Sequence, residues 1–274
     1  MQQRVLGSIV SLWRYPVKSM MGEELNAAEV TRSGLLGDRA YALVDSSDGK
    51  VASAKNPRKW PQLFDFRAML ADAPRAGVKA PPVRITLPDG TILDGEPADV
   101  SRAVSKVLTR EVTLSRALPD QRTARAEEYW PDIEGLEYRD TVTDFGLPEG
   151  TFFDCAFVHL LTTATLDRLR ALYPQGRFEV RRFRPNIVVE TANGEKEFVE
   201  NAWIGHVLAI GDAVRLNITG SCARCVMTTL PQGDLPKDPH ILRTAVEHNR
   251  ANVGVYASVL QGGMLRRGDS VRLE

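Results

Sequence analysis

The chain has 274 residues, of which 43% are hydrophobic and 26% are charged, as in an ordinary globular protein with a sizeable core and room for one large domain or two. Lys plus Arg number 35 and Asp plus Glu number 35, so the formal net charge is zero and no bulk electrostatic attraction to nucleic acid or an anionic membrane exists. No apolar run of signal-peptide length opens the sequence, and no later stretch approaches the roughly 20 apolar residues of a membrane helix. Three cysteines fit a reducing compartment, so we expect a cytoplasmic protein that binds neither nucleic acid nor membranes.

Most of the secondary-structure signals are short strands with alternating apolar residues. Strands are predicted at residues 5–14, 24–30, 40–44, 83–87, 111–115, 186–190, 207–218 and 270–273. Helices are predicted at residues 97–108 and 163–172, where apolar residues recur with helical spacing. A third helix is predicted to begin at Asp238-Pro239, because Asp238 can cap a helix and Pro239 suits its first position. The expected fold class is mainly β with a few helices (α+β).

Two features of the sequence indicate how the strands are organised. Gly211-Asp212-Ala213-Val214-Arg215-Leu216 recurs as Gly268-Asp269-Ser270-Val271-Arg272-Leu273, which predicts two similar turns that each lead into a strand of one barrel. The stretch from Leu118 to Thr151 is rich in charged residues, Pro and Gly, and it is predicted to connect two domains. We place the boundary near Pro119, to within about ten residues.

The most reactive-looking segment contains two cysteines separated by Ala223-Arg224. Alternating apolar residues precede it, so Cys222 and Cys225 are predicted to lie just beyond a strand, where loops present chemistry. Arg224 would favour the thiolate of the adjacent Cys225, and the thiolate is the form that attacks electrophiles or binds soft metals.

Three interpretations of this cysteine pair stay open. A structural zinc site needs four ligands, but the remaining cysteine is Cys155 and the four histidines show no paired spacing. A dithiol redox centre expects a helix after the pair, whereas residues 226–230 are β-branched and run into Pro231. Alternatively, both thiols are small buried hydrophobic side chains, as free cysteines often are.

Several polar side chains are predicted to lie at the mouths of strands. Lys18 and Ser19 follow Pro16, which cannot continue the first strand because it lacks an amide hydrogen. Arg39 precedes the strand at 40–44, and Arg184 precedes a strand that starts at Asn186. Such side chains can hold a phosphate-bearing cofactor, although each one alone is equally compatible with a solvated surface position.

Four motifs occur in the order Tyr15-Pro16-Val17-Lys18-Ser19, Gly37-Asp38-Arg39, Phe183-Arg184-Pro185-Asn186-Ile187 and Cys222-Ala223-Arg224-Cys225-Val226-Met227-Thr228-Thr229. With these motifs the chain resembles, over nearly its whole length, MOSC-domain proteins with an accompanying N-terminal β-barrel domain, similar to the mitochondrial amidoxime-reducing components and their bacterial relatives. The resemblance implies an N-terminal β-barrel-like domain, residues 1–118, and a MOSC β-barrel domain, residues 119–274.

The resemblance also implies a molybdenum cofactor, in which the metal is held by the dithiolene of a pterin whose side chain ends in phosphate. Cys225 falls at the family's metal-ligating position and is therefore the expected catalytic residue and metal ligand. Cys222 falls where relatives have no metal ligand, so we expect it to have a packing or supporting role. Cofactor contacts are expected at Lys18, Ser19, Arg39, Thr162, Thr163, Arg184, Asn186, Ser221, Arg224 and Thr228.

The implied activity is the reduction of N-hydroxylated or other N-oxygenated small molecules with electrons from a separate protein of flavin, iron–sulfur or haem type. Three cysteines are too few for an internal iron–sulfur cluster, and no glycine-rich dinucleotide motif follows a predicted strand. The segment from Leu230 to Lys237 lacks the acidic Asp-Pro-x-Thr-Gly type sequence of the amidoxime reducers, so the substrate-side wall is expected to differ.

Two alternatives to an enzyme are kept. One is a non-catalytic sulfur carrier or molybdenum-cofactor-handling protein, because MOSC domains resemble the C-terminal part of molybdenum-cofactor sulfurases. The other is a plain binding module without a metal. Pyridoxal phosphate binding is a further possibility at the level of the family, although no pyridoxal-phosphate lysine motif of a full desulfurase is recognisable.

Overall fold

The structure, a computed structural model, describes residues 4–117, 123–192, 194 and 196–274. Its strands are β1 (Arg4–Arg14), β2 (Glu23–Leu25), β3 (Ala27–Thr31), β4 (Gly34–Leu35), β5 (Tyr41–Asp45), β6 (Arg67–Leu70), β7 (Val83–Thr86), β8 (Ile92–Leu93), β9 (Val112–Arg116), β10 (Arg125–Trp130), β11 (Thr141–Gly146), β12 (Val158–Thr162), β13 (Ile187–Thr191), β14 (Val207–Ile210), β15 (Val214–Ala223), β16 (Asn252–Gln261), β17 (Gly263–Arg266) and β18 (Ser270–Leu273). Its helices are α1 (Pro97–Leu108), α2 (Thr163–Leu172), α3 (Val180–Phe183) and α4 (His240–Asn249), with 3-10 helices at Leu63–Asp65, Val199–Trp203 and Val226–Thr229. The prediction of a mainly β fold with a few helices is confirmed. The predicted domain boundary near Pro119 lies outside the described residues.

Within the described part of the chain, seven strands close into a barrel in the order β13, β12, β16, β15, β14, β18 and β1, and β1 pairs with β13 to complete the ring. Apolar side chains fill its interior because they alternate along the strands. On β15, for example, Val214, Leu216 and Ile218 are at most 1% exposed. Each such burial stabilises the barrel by about 1.5–3 kcal/mol.

A second apolar core lies in the first half of the chain. There β5 pairs with β9, β7 pairs with both β6 and β8, and α1 packs against β9. Three side chains from the second half, Val226, Met227 and Leu230, are buried in this same core. The loop that follows Cys225 is therefore anchored between the barrel and the core of the first half.

The stretch from Leu118 to Thr151, which is predicted to connect two domains, contains an antiparallel hairpin formed by β10 and β11. Its role as a connection between domains stays a prediction. Ala126 of this hairpin is joined to the first half by a bridge to Val51 and is completely buried. Arg125, Glu127 and Glu128 thus lie on a packed hairpin, and buried positions alternate with more exposed ones over the first four residues of β10.

The helices predicted from the sequence agree with the structure, whereas one predicted strand does not. The bounds predicted for α1 and α2 are confirmed, and the Asp238 carboxylate accepts a hydrogen bond from the His240 amide at the start of α4, at 3.0 Å. The single strand predicted at 207–218 is wrong, because the chain turns at Gly211 with a φ of 55° and forms the β14–β15 hairpin. No helix among the described residues is long and apolar enough to cross a membrane.

Candidate functional site

One cleft brings together residues from all four sequence motifs. It contains about 710 Å³ of space outside atoms, part of it open to solvent, but the centre of a water molecule can reach only about 90 Å³ of it. The cleft is therefore partly filled by its own side chains. Its lining consists of Lys18, Ser19, Arg39, Lys55, Phe152, Phe153, Asp154, Cys155, Ala156, His159, Phe183, Arg184, Asn186, Cys222, Ala223, Arg224, Cys225, Met227 and Tyr256.

Lys18 and Ser19 reach the cleft because the chain leaves the barrel at the end of β1 and cannot continue the strand through Pro16. The Lys18 ammonium is 5% exposed, donates to the Phe152 carbonyl at 2.9 Å and forms an ion pair with Asp154. Burial lowers the pKa of Lys18, and Asp154 counteracts that effect. The Ser19 hydroxyl accepts a hydrogen bond from the Ala54 amide at 3.0 Å.

Arg39 is held beside Lys18 by the turn that contains Asp38. The Asp38 carboxylate accepts from the Tyr15 amide at 2.7 Å and forms an ion pair with Arg39. The Arg39 guanidinium also lies 4.6 Å from the centre of the Tyr15 ring and 5.8 Å from that of Phe153. These contacts fix the direction of the guanidinium within the cleft.

Arg184 and Asn186 enter from the segment between α3 and β13. The Arg184 guanidinium donates to the Met20 carbonyl at 2.6 Å, and burial lowers its pKa to about 10, with the nearby positive charge of Arg39 adding to the effect. The Asn186 side chain accepts from the His159 amide at 3.1 Å and donates to Asp38 at 2.9 Å. Two predicted site residues thus also cross-link the cleft wall.

The two cysteines occupy different environments. Cys222 lies within β15 and is completely buried, so the prediction that it follows the strand is wrong for this residue. Cys225 lies beyond β15, is half-buried, and precedes the 3-10 helix Val226–Thr229. The Thr228 hydroxyl donates to the Cys225 carbonyl at 3.0 Å and so stabilises the turn that presents its thiol.

Arg224 donates a hydrogen bond to Cys222, whereas the sequence suggested an interaction with the adjacent Cys225. Its guanidinium donates to the Cys222 sulfur at 2.6 Å and to the Phe183 carbonyl at 2.9 Å. Burial opposes ionisation of Cys222, but the charges of Arg224 and His159 outweigh burial and lower the pKa of the thiol to about 6. Burial and the Glu128 carboxylate raise the pKa of Cys225 to about 12. Arg224 does favour the Cys225 thiolate, as expected, but its effect is outweighed by burial in the protein on its own.

Four predicted contact residues do not line the cleft. The Thr162 hydroxyl caps α2 by accepting from the Thr165 amide at 3.1 Å and donates to Glu200 at 2.6 Å. Thr163 is half-buried in the first turn of that helix, and Ser221 is half-buried on β15. Thr228 is fully buried below Cys225. Direct cofactor contact by these four residues stays a prediction.

Several lining residues gave no signal in the sequence. Lys55 pairs with Glu128 at 3.2 Å and lies 3.8 Å from Asp154, so Asp154 stands between two lysines. Burial opposes ionisation of Asp154, but Lys18 and Lys55 outweigh it and hold the pKa of that carboxyl well below its usual range. Lys55 and Asp154 are single charges in loops, and no spacing rule identifies them.

Arg182 lies on α3 beside residues that line the cleft, but its own role is structural. It is completely buried and donates to the carbonyls of Arg177, Thr228, Leu230 and Pro236 at 2.8–3.2 Å. Its guanidinium therefore fastens the loop that follows Cys225.

Comparison with known proteins gives two family matches and distant relatives. The family model described as "MOSC N-terminal beta barrel domain" matches residues 6–125, and the model described as "MOSC domain" matches residues 148–272. Mitochondrial amidoxime reducing component 2 of Bos taurus is 26% identical over 300 residues, covering 97% of this chain and 83% of that protein. Molybdenum cofactor sulfurase of Homo sapiens is 22% identical over 280 residues, covering 90% of this chain but 29% of the sulfurase. The crystal structure of the YUAD protein from Bacillus subtilis aligns with a TM-score of 0.49 and 11% identity, covering 97% of this chain and 94% of that one.

Proposed function

The chain belongs to the MOSC-domain proteins that carry a MOSC N-terminal beta barrel domain, and we propose that its cleft binds molybdenum cofactor and that the protein reduces N-hydroxylated or other N-oxygenated compounds. The observation that carries this proposal is the convergence of five cations and a half-buried thiol, from distant parts of the chain, on one cleft. The relatives named as amidoxime reducing components support the choice of reaction class.

The charge of the cleft fits a phosphate-bearing cofactor. The cations are Lys18, Arg39, Lys55, Arg184 and Arg224, and among the lining residues they face one acidic side chain. Several buried donors are what a phosphate and a pterin need, because a charge-assisted hydrogen bond is about twice as strong as a neutral one. The Nε of Arg224 is buried and has no hydrogen-bond partner, which leaves a donor for a bound molecule.

The backbone of the cleft gives independent support. Ser19, Arg39 and Arg184 adopt the left-handed conformation, with φ values of 64°, 49° and 53°. Residues other than glycine avoid this region, and such positions cluster at functional sites, where the surrounding structure holds them in place. The same three residues are expected cofactor contacts.

Cys225 is the proposed metal ligand, with Cys222 in a separate role. The Cys225 thiol is half-buried and is presented by a turn, whereas the Cys222 sulfur is fully buried and already accepts a hydrogen bond from Arg224. A raised pKa does not prevent ligation, because a metal ion removes the proton of a coordinating thiol. Among the described residues, no group of three or more His, Cys, Asp and Glu side chains is placed to hold a bare metal ion, so the remaining ligands would have to come with the cofactor.

When bound, the cofactor would supply the two-electron chemistry that removes oxygen from nitrogen. The chain contributes position and charge. Lys18, Arg39 and Arg184 would hold the phosphate and pterin, and Arg182 keeps the Cys225 loop in place through its carbonyl contacts. Burial opposes the charge on Lys55, but the Asp154 and Glu128 carboxylates outweigh burial and raise its pKa, so Lys55 keeps its proton beside Asp154. Because the chain has three cysteines, we propose that electrons come from a separate redox protein.

The proposed function is tested on protein purified from a host that makes the cofactor. We expect molybdenum near one equivalent per chain, the fluorescence of the released pterin, and turnover of a simple amidoxime with an artificial electron donor. Cys225→Ser should abolish turnover, and Cys155→Ser, at an exposed position of the same cleft, is the matched control. Absence of both molybdenum and pterin would contradict the proposal.

The second candidate, a non-catalytic sulfur carrier or cofactor-handling protein, is favoured by two observations. The cleft holds a buried thiol with a lowered pKa beside the proposed metal ligand, and a relative is named molybdenum cofactor sulfurase. Bound molybdenum without turnover of any N-hydroxylated substrate would favour this candidate over the reductase.

A further inference from the structure

A groove on the first half of the chain has no part in the proposed reaction. Its volume is about 450 Å³, whereas only about 90 Å³ of the cleft is open to water. One wall is the loop between β6 and β7, and the other is formed by the turn before β5 and by the end of β9. Small-molecule sites usually have volumes of about 300–1,000 Å³, so the groove is large enough to hold a ligand.

The walls of the groove meet at Gly37 and are largely apolar. A Cβ added to Gly37, whose φ is 81°, would lie 3.5 Å from Pro74 on the opposite wall, so the groove has a closed base. Leu36, Pro74 and Ala117 contribute apolar surface, and Val78 lies on the loop with 65% of its surface exposed. A concave apolar surface with a closed base suits a small molecule better than a flat protein or membrane surface.

The charge of the groove has one sign. Arg75, Lys79 and Arg116 line it, and within the described part of the chain no Asp or Glu does so. None of the three cations forms an ion pair with another described residue, whereas Arg84, exposed on β7, pairs with Asp94 at 2.5 Å. An anion in the groove would therefore meet several cations and no acidic side chain of the lining.

Arg116 is held in the groove by Tyr41 rather than by a carboxylate. Its guanidinium donates from Nε and Nη2 to the Tyr41 hydroxyl, at 3.1 and 2.6 Å, and lies 5.1 Å from the centre of the Tyr41 ring. The same hydroxyl donates to the Pro81 carbonyl at 2.8 Å, on the loop that forms the opposite wall. Arg116 is half-buried and its Nη1 has no hydrogen-bond partner among the described residues. Since burying a cation without a counterion is costly, a bound anion would stabilise this arrangement.

We propose that this groove binds a small amphipathic anion. A sulfonate, carboxylate or phosphate group would pair with Arg116, Arg75 and Lys79, because guanidinium groups hold such anions through two parallel hydrogen bonds. The apolar body of the ligand would lie on Val78 and Leu36. The inference does not depend on the proposed cofactor, because none of these residues lines the cleft.

The experiment is a fluorescence titration of the full chain with 8-anilinonaphthalene-1-sulfonate. N-phenyl-1-naphthylamine, which has the same rings without the sulfonate, is titrated in parallel, and inorganic sulfate is added as a competitor that has the anion without the rings. We expect one site for the sulfonate with a dissociation constant below about 100 μM, and at least about fivefold weaker binding of the neutral compound. Sulfate should compete at least about a hundredfold less well than the sulfonate probe binds.

Two variants locate the site. Val78→Asp adds a negative charge at an exposed position and should weaken binding of the sulfonate about tenfold, and Arg116→Gln should weaken it at least about fivefold. Ile92→Asp adds the same charge at an exposed position outside the groove, and Arg102→Gln removes an exposed cation outside it, so both controls should leave binding unchanged. Circular dichroism checks each fold, and the Val78 variant suffices if the Arg116 variant does not fold.

Three results would overturn the inference. They are equal affinity for the sulfonate and the neutral compound, unchanged affinity in the folded Val78→Asp protein, and absence of sulfonate binding. A groove that takes a hexaglutamate peptide or phosphatidylglycerol vesicles in place of the sulfonate, with binding lost in Val78→Asp, would be a surface for a protein or a membrane and not a small-molecule site.

Discussion

Asp154→Asn tests whether this carboxylate serves as the internal counterion of the cleft. Asp154 pairs with Lys18 and stands 3.8 Å from Lys55, and the water-accessible space beside it is small. A bound phosphate would need the same two lysines, so it would have to displace the carboxylate. We therefore expect the substitution to destabilise the phosphate-free protein and to increase its affinity for phosphate.

The magnitude follows from the burial of the pair. Removing one partner of a fully buried ion pair costs about 3–5 kcal/mol. The cost is smaller here, because the Asp154 side chain is 31% exposed, Lys18 keeps its hydrogen bond to the Phe152 carbonyl, and Asn retains an acceptor oxygen. We therefore expect the free energy of unfolding to fall by about 1–2 kcal/mol and the melting temperature to fall by about 2–6 °C. Two unit charges 4 Å apart interact by about 4 kcal/mol at an effective dielectric constant of 20. If a third of that is recovered, inorganic phosphate should bind about tenfold more tightly to the variant.

The assay is thermal unfolding with and without inorganic phosphate, followed by calorimetric titration of the metal-free protein. Asp140→Asn is the matched control, because Asp140 forms an exposed ion pair with Arg58 outside the cleft. Unchanged stability of Asp154→Asn, or phosphate affinity equal to that of the parent, would refute the role of Asp154 as a counterion.

The remaining predictions concern acid stability, the Cys225 loop and the electron donor. The pKa of Asp154 is depressed in the folded state, so its stabilising contribution is complete above about pH 4 and is lost as the pH falls. The difference in the free energy of unfolding between the parent and Asp154→Asn should therefore shrink in acid. A difference that grows in acid would contradict the depressed pKa of Asp154. Arg182→Met should lower the free energy of unfolding by roughly 3–5 kcal/mol in chemical denaturation, because it removes the Arg182 donor from the buried carbonyls of Thr228, Leu230 and Pro236, while the Arg177 carbonyl keeps the Glu179 amide. Arg181→Met should cost less than about 1 kcal/mol, and equal effects would contradict the account. The protein mixed with a nicotinamide nucleotide and an N-hydroxylated substrate alone should give no sustained turnover, and sustained turnover would show that no separate donor is needed.

The parts of the fold that depend on local pattern were predictable from the sequence. The bounds of α1 and α2 follow from the apolar spacing along one helix face. The error at 207–218 arose because alternation continues across Gly211, although the backbone reverses there. Barrel closure by the pairing of β1 with β13 joins distant segments, and no local signal specifies such a pairing.

The candidate site was predictable only where a motif carried it. Lys18 and Arg184 line the cleft as expected, because Lys18 follows the first predicted strand and Arg184 precedes another predicted strand. Lys55 and Asp154 are isolated charges in loops, and only the folded chain brings them together. The contact of Arg224 with Cys222 also escaped sequence reasoning, since the direction of a side chain depends on strand register rather than on sequence adjacency.

The most direct test of the central claim is X-ray absorption at the molybdenum edge, measured on the parent, Cys225→Ser and Cys222→Ser proteins isolated from a host that makes the cofactor. We predict that the number of sulfur atoms bound to the metal falls by one in Cys225→Ser and is unchanged in Cys222→Ser. An unchanged sulfur number in the Cys225 variant, or a loss confined to the Cys222 variant, would contradict the assignment of Cys225 as the ligand.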